Sequence, residues 1–247
     1  VATSSVRPRY FIGIDNGSQS SKVTVFDTHG RAVSEGRAAL RPYDTPRPGV
    51  VEHPDEELDE RVAKPYTHTD PDAARVTTSS GYISHRMTGT FRDSAANYAG
   101  TWPLDPGTWQ WSDDDAEIAK CGIPREMLCD LVLPGDILGE VTESAARHTG
   151  IPAGLPVVAT ANDKAVEALG CGLRTPDTLL VSLGTYVAGV ATGPRNVPNA
   201  TDFWTNYASM PHCYLYECGG VRRGVGTVSW FRDLLGEEAV ASARAAG

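Results

Sequence analysis

Residues 10–27 read YFIGIDNGSQSSKVTVFD, an apolar–polar alternation, a short polar turn and a second alternation. Side chains in a strand repeat every two residues, and β-branched and aromatic types suit that surface. Residues 10–15 and 22–27 are therefore expected as two antiparallel strands. The first strand ends on Asp15, and the turn offers Gly17, Ser18, Gln19 and, beyond two further serines, Lys22. A glycine lets backbone N–H groups approach an anion, hydroxyls and amides donate to it, and a lysine balances its charge. A carboxylate beside them can hold Mg²⁺ directly or through water, so these are the parts of a nucleotide-phosphate loop. The same Asp15 also suits an Asx-turn in an ordinary hairpin, and D-x-G-S does not separate the two readings.

Beyond this hairpin, Ala32–Leu40 reads as a third strand completing a meander, and Arg41–His53, with four prolines or glycines, as a loop. Pro54–Leu58 opens a helix with proline and acids in its first turn. Arg61–Asp72 shows no period. A helix is expected over Ala73–Thr88, ended by Gly89, and Ser112–Asp115 caps a short helix to Lys120. Pro124 starts another helix. Leu138–Val141 reads as a strand, and Thr142 caps a helix to Thr149. Pro156–Ala161 reads as a buried strand, and Asn162 or Asp163 caps a helix to Leu169, closed by Gly170 and Gly172. Thr178–Leu183 and Tyr186–Ala191 are two strands joined at Gly184-Thr185. Tyr214–Gly224 reads as strand then turn. Gly226–Ala246 reads as an amphipathic helix broken at Gly236. No internal repeat is visible.

Two more segments could carry chemistry. Gly184 and Thr185 could bring backbone N–H groups and a hydroxyl to a phosphate, or simply turn a hairpin. In ATANDKAV, a strand runs into a helix through Asn162 and Asp163, where a carboxylate at the strand's carboxyl end could take a proton from an attacking hydroxyl. A plain helix N-cap explains the same residues. Lys164 either lowers the pKa of Asp163 or points to solvent. Arg222 and Arg223 could reach a phosphate or stand solvated. Tyr98, Trp102, Trp109 and Trp111 could stack on a sugar face or pack a core.

A chain of 247 residues, 40% of them hydrophobic, can form one large domain or two small ones. The net charge of −9 argues against nonspecific binding to nucleic acid or anionic membrane, and leaves room for a local phosphate site. No apolar run reaches the ~20 residues of a membrane span. Val1–Arg9 is a polar lead-in without an apolar h-region. Five cysteines form no C-x-x-C pair, which fits reduced thiols in a cytoplasm. His212, Cys213 and Cys218 do not complete a metal site.

The order of the three turns is more specific than any of them. With FIGIDNGSQSSKVTVFD, VVEHPDEE, SSGYISHRMTGTFRDSAANYAGTWPLD, the stretch from GIPREML to ALGCGL, and LVSLGTYVAG, the chain resembles the FGGY carbohydrate kinases, xylulokinase-like members of the sugar kinase–Hsp70–actin superfamily. Met87 stands where the family has leucine. The resemblance implies an α/β, RNase H-like fold of two similar domains around a cleft. It implies ATP and Mg²⁺ as cofactors and a small sugar or polyol as acceptor, a ketose such as a pentulose first. It leaves room for a homodimer and for no nucleic-acid or membrane partner. Asp15 would stand near the metal. Gly17, Ser18, Gln19 and Lys22 would line the phosphates from one side, and Gly184 and Thr185 from the other. Asp163 would be the general base. The first domain is expected over 1–163, with a segment missing near 61–72, where nothing matches the family's sugar-holding tryptophan-aspartate-arginine segment. The second domain is expected from 164, with the switch over Asp163–Leu173, and to be incomplete. An actin- or Hsp70-like ATPase, or a non-catalytic remnant of a kinase, are the rival readings.

Overall fold

The computed structural model describes residues 10–16, 20–39, 44–47, 50–52, 75–98, 102–183, 186–222 and 224–245. The chain opens with the expected meander. Strands β1 (Tyr10–Asn16), β2 (Ser20–Asp27) and β3 (Ala32–Ala39) form an antiparallel sheet in that order. In its register Asp15 faces Lys22 and Asn16 faces Ser21. The expected loop over Arg41–His53 is instead a second small hairpin, β4 (Asp44–Arg47) with β5 (Val50–Glu52). Arg47 pairs with Val50 across Pro48-Gly49, a turn dipeptide. Of the prolines that suggested a loop, Pro46 lies within β4. The expected helix from Pro54 and the gap near 61–72 lie outside the described residues.

Helix α1 runs Ser79–Thr88, shorter than the helix expected from Ala73. Its start is set by Thr78, whose hydroxyl accepts from the Gly81 N–H at 3.3 Å, and by extended, β-branched Val76 and Thr77 before it. Val76 is buried, bridges to Leu128, and donates its N–H to the Met127 carbonyl at 2.8 Å. That pairing also limits the helix expected at Pro124 to one 3-10 turn, Arg125–Met127. Gly89 ends α1 in the left-handed region at φ 72°, as its position suggested.

Strand β6 (Arg92–Ser94) leads into a 3-10 turn, Ala95–Asn97. A two-strand ribbon of β7 (Leu104–Asp105) and β8 (Gln110–Trp111) and helix α2 (Asp115–Lys120), capped by Asp114, follow. Strand β9 (Asp130–Val132) pairs in parallel with β6. Strand β10 (Ile137–Glu140) and helix α3 (Glu143–Thr149), capped by Thr142, follow the expected pattern. Strand β11 (Pro156–Val158) pairs with β10 but is shorter and more exposed than expected. The apolar run looked buried because burial begins just after it, at Ala159 and Ala161.

Helix α4 (Asp163–Gly170) carries the chain to a second sheet. Strands β12 (Leu180–Leu183), β13 (Tyr186–Gly193), β14 (Phe203–Tyr207) and β15 (Tyr214–Cys218) lie in the antiparallel order β12-β13-β15-β14, with the short β16 (Val221–Arg222) on β13. A Cβ at Gly220 would lie 1.6 Å from the Val187 carbonyl oxygen, so only glycine lets β16 approach β13. Helix α5 (Gly224–Ala245) breaks at Gly236, at φ 79° and ψ 166°, as the sequence suggested. Its Trp230, Phe231, Leu234 and Leu235 are exposed. None of the described helices is long and apolar enough to cross a membrane.

One buried cluster collects Ala95, Ala96 and Trp109, Ala165 and Ala168 of α4, and Val190 and Leu215 of the second sheet. Residues on both sides of Asp163 therefore share one core. Trp109, fully buried, donates from its indole nitrogen to the Tyr214 hydroxyl at 3.1 Å. Tyr98 is buried too and meets Trp102 and Trp111 edge-on at 5.0 and 4.9 Å. Tyr98 and Trp109 are thus core residues rather than a stacking platform.

The α1–β6 contact depends on a missing side chain. A Cβ on Gly81 would lie 2.0 Å from Thr77 Oγ1 and 2.7 Å from Asp93 Oδ2. Gly36, on β3, has nothing within 4 Å of that position. Gly81→Ala is expected to lower the urea unfolding free energy by about 1–3 kcal/mol, the usual cost of overpacking. Gly36→Ala is expected to lie within about 0.5 kcal/mol of wild type, as surface changes do. Equal effects at the two sites would contradict the packing described.

Candidate active site

Asp163 is the first residue of α4, and Asn162 is its cap, with Oδ1 accepting from the Ala165 N–H at 3.1 Å. This settles which of the two residues caps. The Asp163 side chain is exposed, and its Oδ1 accepts only from the adjacent Lys164 N–H, at 2.7 Å, among the described residues. Negative charge in a helix's first turn is favoured by the partial positive charge there.

Lys164 neither pairs with Asp163 nor points freely to solvent. Its ammonium lies 3.8 Å from Glu217 Oε1 on β15. Glu217 is 6% exposed, and its other oxygen accepts from the Trp204 indole N–H at 3.2 Å. A buried carboxylate needs such partners, and here they also tie α4 to the second sheet. Nothing in the reading of the sequence singled out Glu217. The one signal was an acid in the otherwise apolar strand YLYEC.

At the other end of the chain, Asp15 is exposed at the end of β1 and faces Lys22 in the register. The Lys22 ammonium turns diagonally to Glu35 on β3, at 3.2 Å, with both side chains about half exposed. Such a pair is worth at most about 1 kcal/mol, too little to hold Lys22 away from a bound anion. Gly17, Ser18, Gln19, Gly184 and Thr185 lie outside the described residues. Their flanks are defined: Asn16 pairs with Ser21, and Leu183 with Val187, both in antiparallel register. Arg222 lies on β16, and Arg223 is outside the described residues. Among the described residues no group of three His, Cys, Asp or Glu side chains could hold a metal ion.

The strongest polar cluster was not anticipated. Asp93, 1% exposed, follows α1 and faces its N-terminus. Its Oδ2 accepts from the Thr78 hydroxyl at 2.6 Å. Its Oδ1 accepts from the Ser94 N–H at 2.7 Å and from Asn97 Nδ2 at 2.8 Å. Burial raises the Asp93 pKa above the ordinary carboxylate value of 3.8, while the bonds from Thr78, Asn97 and Ser94 pull it back. Beside it, the Tyr98 hydroxyl contacts Thr77 Oγ1 and Cys129 Sγ, each at 3.1 Å. Burial raises the Tyr98 pKa and lifts the Cys129 thiol to about 11. The sequence signal was an acid within TFRDSAAN, with Ser and Asn one and four residues on.

A carboxyl whose folded pKa lies above its unfolded value holds its proton more tightly when folded. Its contribution to stability is therefore greatest below pH 3.8 and declines as pH rises through the folded value. Asp93→Asn puts a second donor against the donors that surround this site, and is expected to cost about 1–3 kcal/mol. The loss relative to wild type should be larger below pH 3.8 than at neutrality, read from paired melting curves. A loss independent of pH would contradict the assignment. Among the thiols, Cys171 and Cys218 are exposed and should alkylate with iodoacetamide well before buried Cys129, with the order read by peptide mass mapping. Early labelling of Cys129 would show the cluster to be open.

Comparison with known proteins places this geometry. The profile of the FGGY family of carbohydrate kinases, N-terminal domain, matches residues 63–170, which include α1, the Asp93 cluster and Asp163. An uncharacterized sugar kinase of Escherichia coli K12, YgcE, is 41% identical over 288 residues, covering 96% of this chain. The chain spans 58% of that protein's length. The aligned span is longer than the chain's own 247 residues, so it passes over residues of YgcE that have no counterpart here. The fold is that of a xylulose kinase from Rhodospirillum rubrum, with a TM-score of 0.76 at 18% identity, covering 96% of this chain and 66% of that one. A glycerol kinase from Plasmodium falciparum, solved with ADP, gives a TM-score of 0.72 at 13% identity, covering 90% and 62%. The architecture is therefore the α/β fold of the actin-like ATPases. Over residues 63–170 the chain is similar to the N-terminal domain of the FGGY family of carbohydrate kinases, and over most of its length to YgcE.

Proposed function

We propose that this protein transfers the γ-phosphate of ATP to a hydroxyl of a small sugar or polyol, a ketose such as a pentulose being the first choice. One observation carries the reading. A carboxylate, Asp163, is held exposed at the start of α4, while the neighbouring cation, Lys164, is drawn away to Glu217. A base in that position remains available to an incoming hydroxyl. The sugar-kinase relative at 41% identity and the xylulose kinase fold support the choice of acceptor.

In this mechanism the acceptor oxygen attacks the γ-phosphorus, the bond from phosphorus to the β-bridging oxygen breaks, and ADP leaves. The hydroxyl proton passes to the Asp163 carboxylate. Such a transfer needs alignment and charge stabilisation more than covalent help from the protein. The first hairpin fits the metal and phosphate roles assigned to it. The Asp15 carboxylate is exposed at the end of β1, and among the described residues the Lys22 ammonium is tied only by an exposed pair. Bound Mg²⁺ would supply neutralisation of phosphate charge. Gly17, Ser18 and Gln19 would contribute donors from one side, and Gly184 and Thr185 from the other. The division into a first domain to Asp163 and a second from Lys164 belongs to the same proposal.

The test is ADP release with Mg-ATP and a panel of ketoses, aldoses and polyols, on wild type and Asp163→Asn. Wild type should show acceptor-stimulated release, and Asp163→Asn should lose about 10²–10⁴-fold of it, the usual share of a general base. Slow release that no acceptor stimulates would favour an ATPase of the same superfamily. Full turnover in Asp163→Asn would remove Asp163 from the base role.

A further inference from the structure

The loop before α4 is tied twice to one 3-10 turn. The Ser94 hydroxyl donates to the Thr160 carbonyl and accepts from the Ala96 N–H at 3.3 Å. Two residues on, Asn162 works in both directions. Its Oδ1 caps α4 through Ala165, and its Nδ2 donates to the Ala96 carbonyl at 3.4 Å. The two ties straddle Ala161 and end one residue before Asp163. Between them Ala95, Ala96, Ala161 and Ala165 are buried in one cluster, where small side chains let the turn and the helix start come close.

The turn itself is fixed from behind by Asp93, which takes the N–H of Ser94 and the amide of Asn97 on one oxygen and the Thr78 hydroxyl on the other. A continuous set of hydrogen bonds therefore runs from the N-terminus of α1, through Asp93 and the turn, to the residues on which Asp163 is mounted. Core packing alone would not require hydrogen bonds on both sides of Ala161.

We infer that Asp93 and Ser94 are positioning residues for phosphoryl transfer, fixing where the Asp163 carboxylate stands by holding the Thr160–Asn162 loop. Neither side chain touches that carboxylate in the structure. The inference rests on the proposed reading of Asp163 as the base. A base must meet the acceptor hydroxyl within hydrogen-bond reach, and a displacement of about 1 Å can cost about 100-fold in rate.

Two variants each remove one tie. Ser94→Ala deletes the hydroxyl. Asn162→Asp keeps the capping oxygen and loses the Nδ2 donor, since Asp and Asn cap equally well. Both are expected to lower kcat about 10- to 100-fold with the KM for ATP unchanged. Amide hydrogen exchange over Ala161–Ala165 should accelerate in both, while that of α3 stays at the wild-type rate. If Asp163→Asn is inactive yet both variants turn over like wild type, the positioning role falls and the base survives. If Asp163→Asn keeps full turnover, the reading of the site fails first and the positioning role with it. Unchanged exchange at Ala161–Ala165 overturns the tether whatever the turnover.

Discussion

A buried carboxylate organises the described part of this fold. Moving an ion out of water costs several kcal/mol unless its lone pairs are met. Asp93 is met on both oxygens, by a threonine hydroxyl, a backbone N–H and an asparagine amide. It also faces the N-terminus of α1, where unpaired N–H groups and the helix dipole favour negative charge. These donors come from α1, from β6 and from the turn after it, so satisfying one carboxylate fixes three segments together. Gly81 is part of the same arrangement, because any side chain there would collide with the Asp93 oxygen.

From that point the order passes forward. The Ala95–Asn97 turn meets the Thr160–Asn162 loop, the loop starts α4, and α4 is tied on its far side through Lys164 to Glu217 and Trp204. Asp163 thus stands between two anchors without being consumed by either. Its Oδ1 accepts only the adjacent Lys164 N–H among the described residues, so the carboxylate stands exposed on a fixed mounting. The similarity to carbohydrate kinases over residues 63–170 spans the Asp93 anchor, the loop and most of the helix.

The sequence showed the alternation and turn chemistry well. The first hairpin, the caps at Thr142 and Asn162 and the break at Gly236 all appear where their local signals stood, because each depends on a few adjacent residues. Elements set by distant partners were harder to read. Val76 looks helical in its window, and only pairing with Leu128, far along the chain, makes it extended. The hairpin of β4 with β5 was hidden by a segment rich in proline and glycine, with Pro46 inside β4 itself. Asp93 and Glu217 carry no motif. Their importance comes from burial, and burial is a property of the assembled core. The positions of Asp15 at the end of a strand and Asp163 at the start of a helix were legible because both elements have local signals. The phosphate-loop readings at 17–19 and 184–185 fall outside the described residues.

On this reading Asp93 organises the loop that bears Asp163, although the two are far apart in sequence. A double-mutant cycle between Asp93→Asn and Asn162→Ala, read as urea unfolding free energies, tests it most directly. Residues acting through one hydrogen-bonded network should couple by about 0.5 kcal/mol or more. Losses that add to within about 0.3 kcal/mol would show two independent sites and contradict the account.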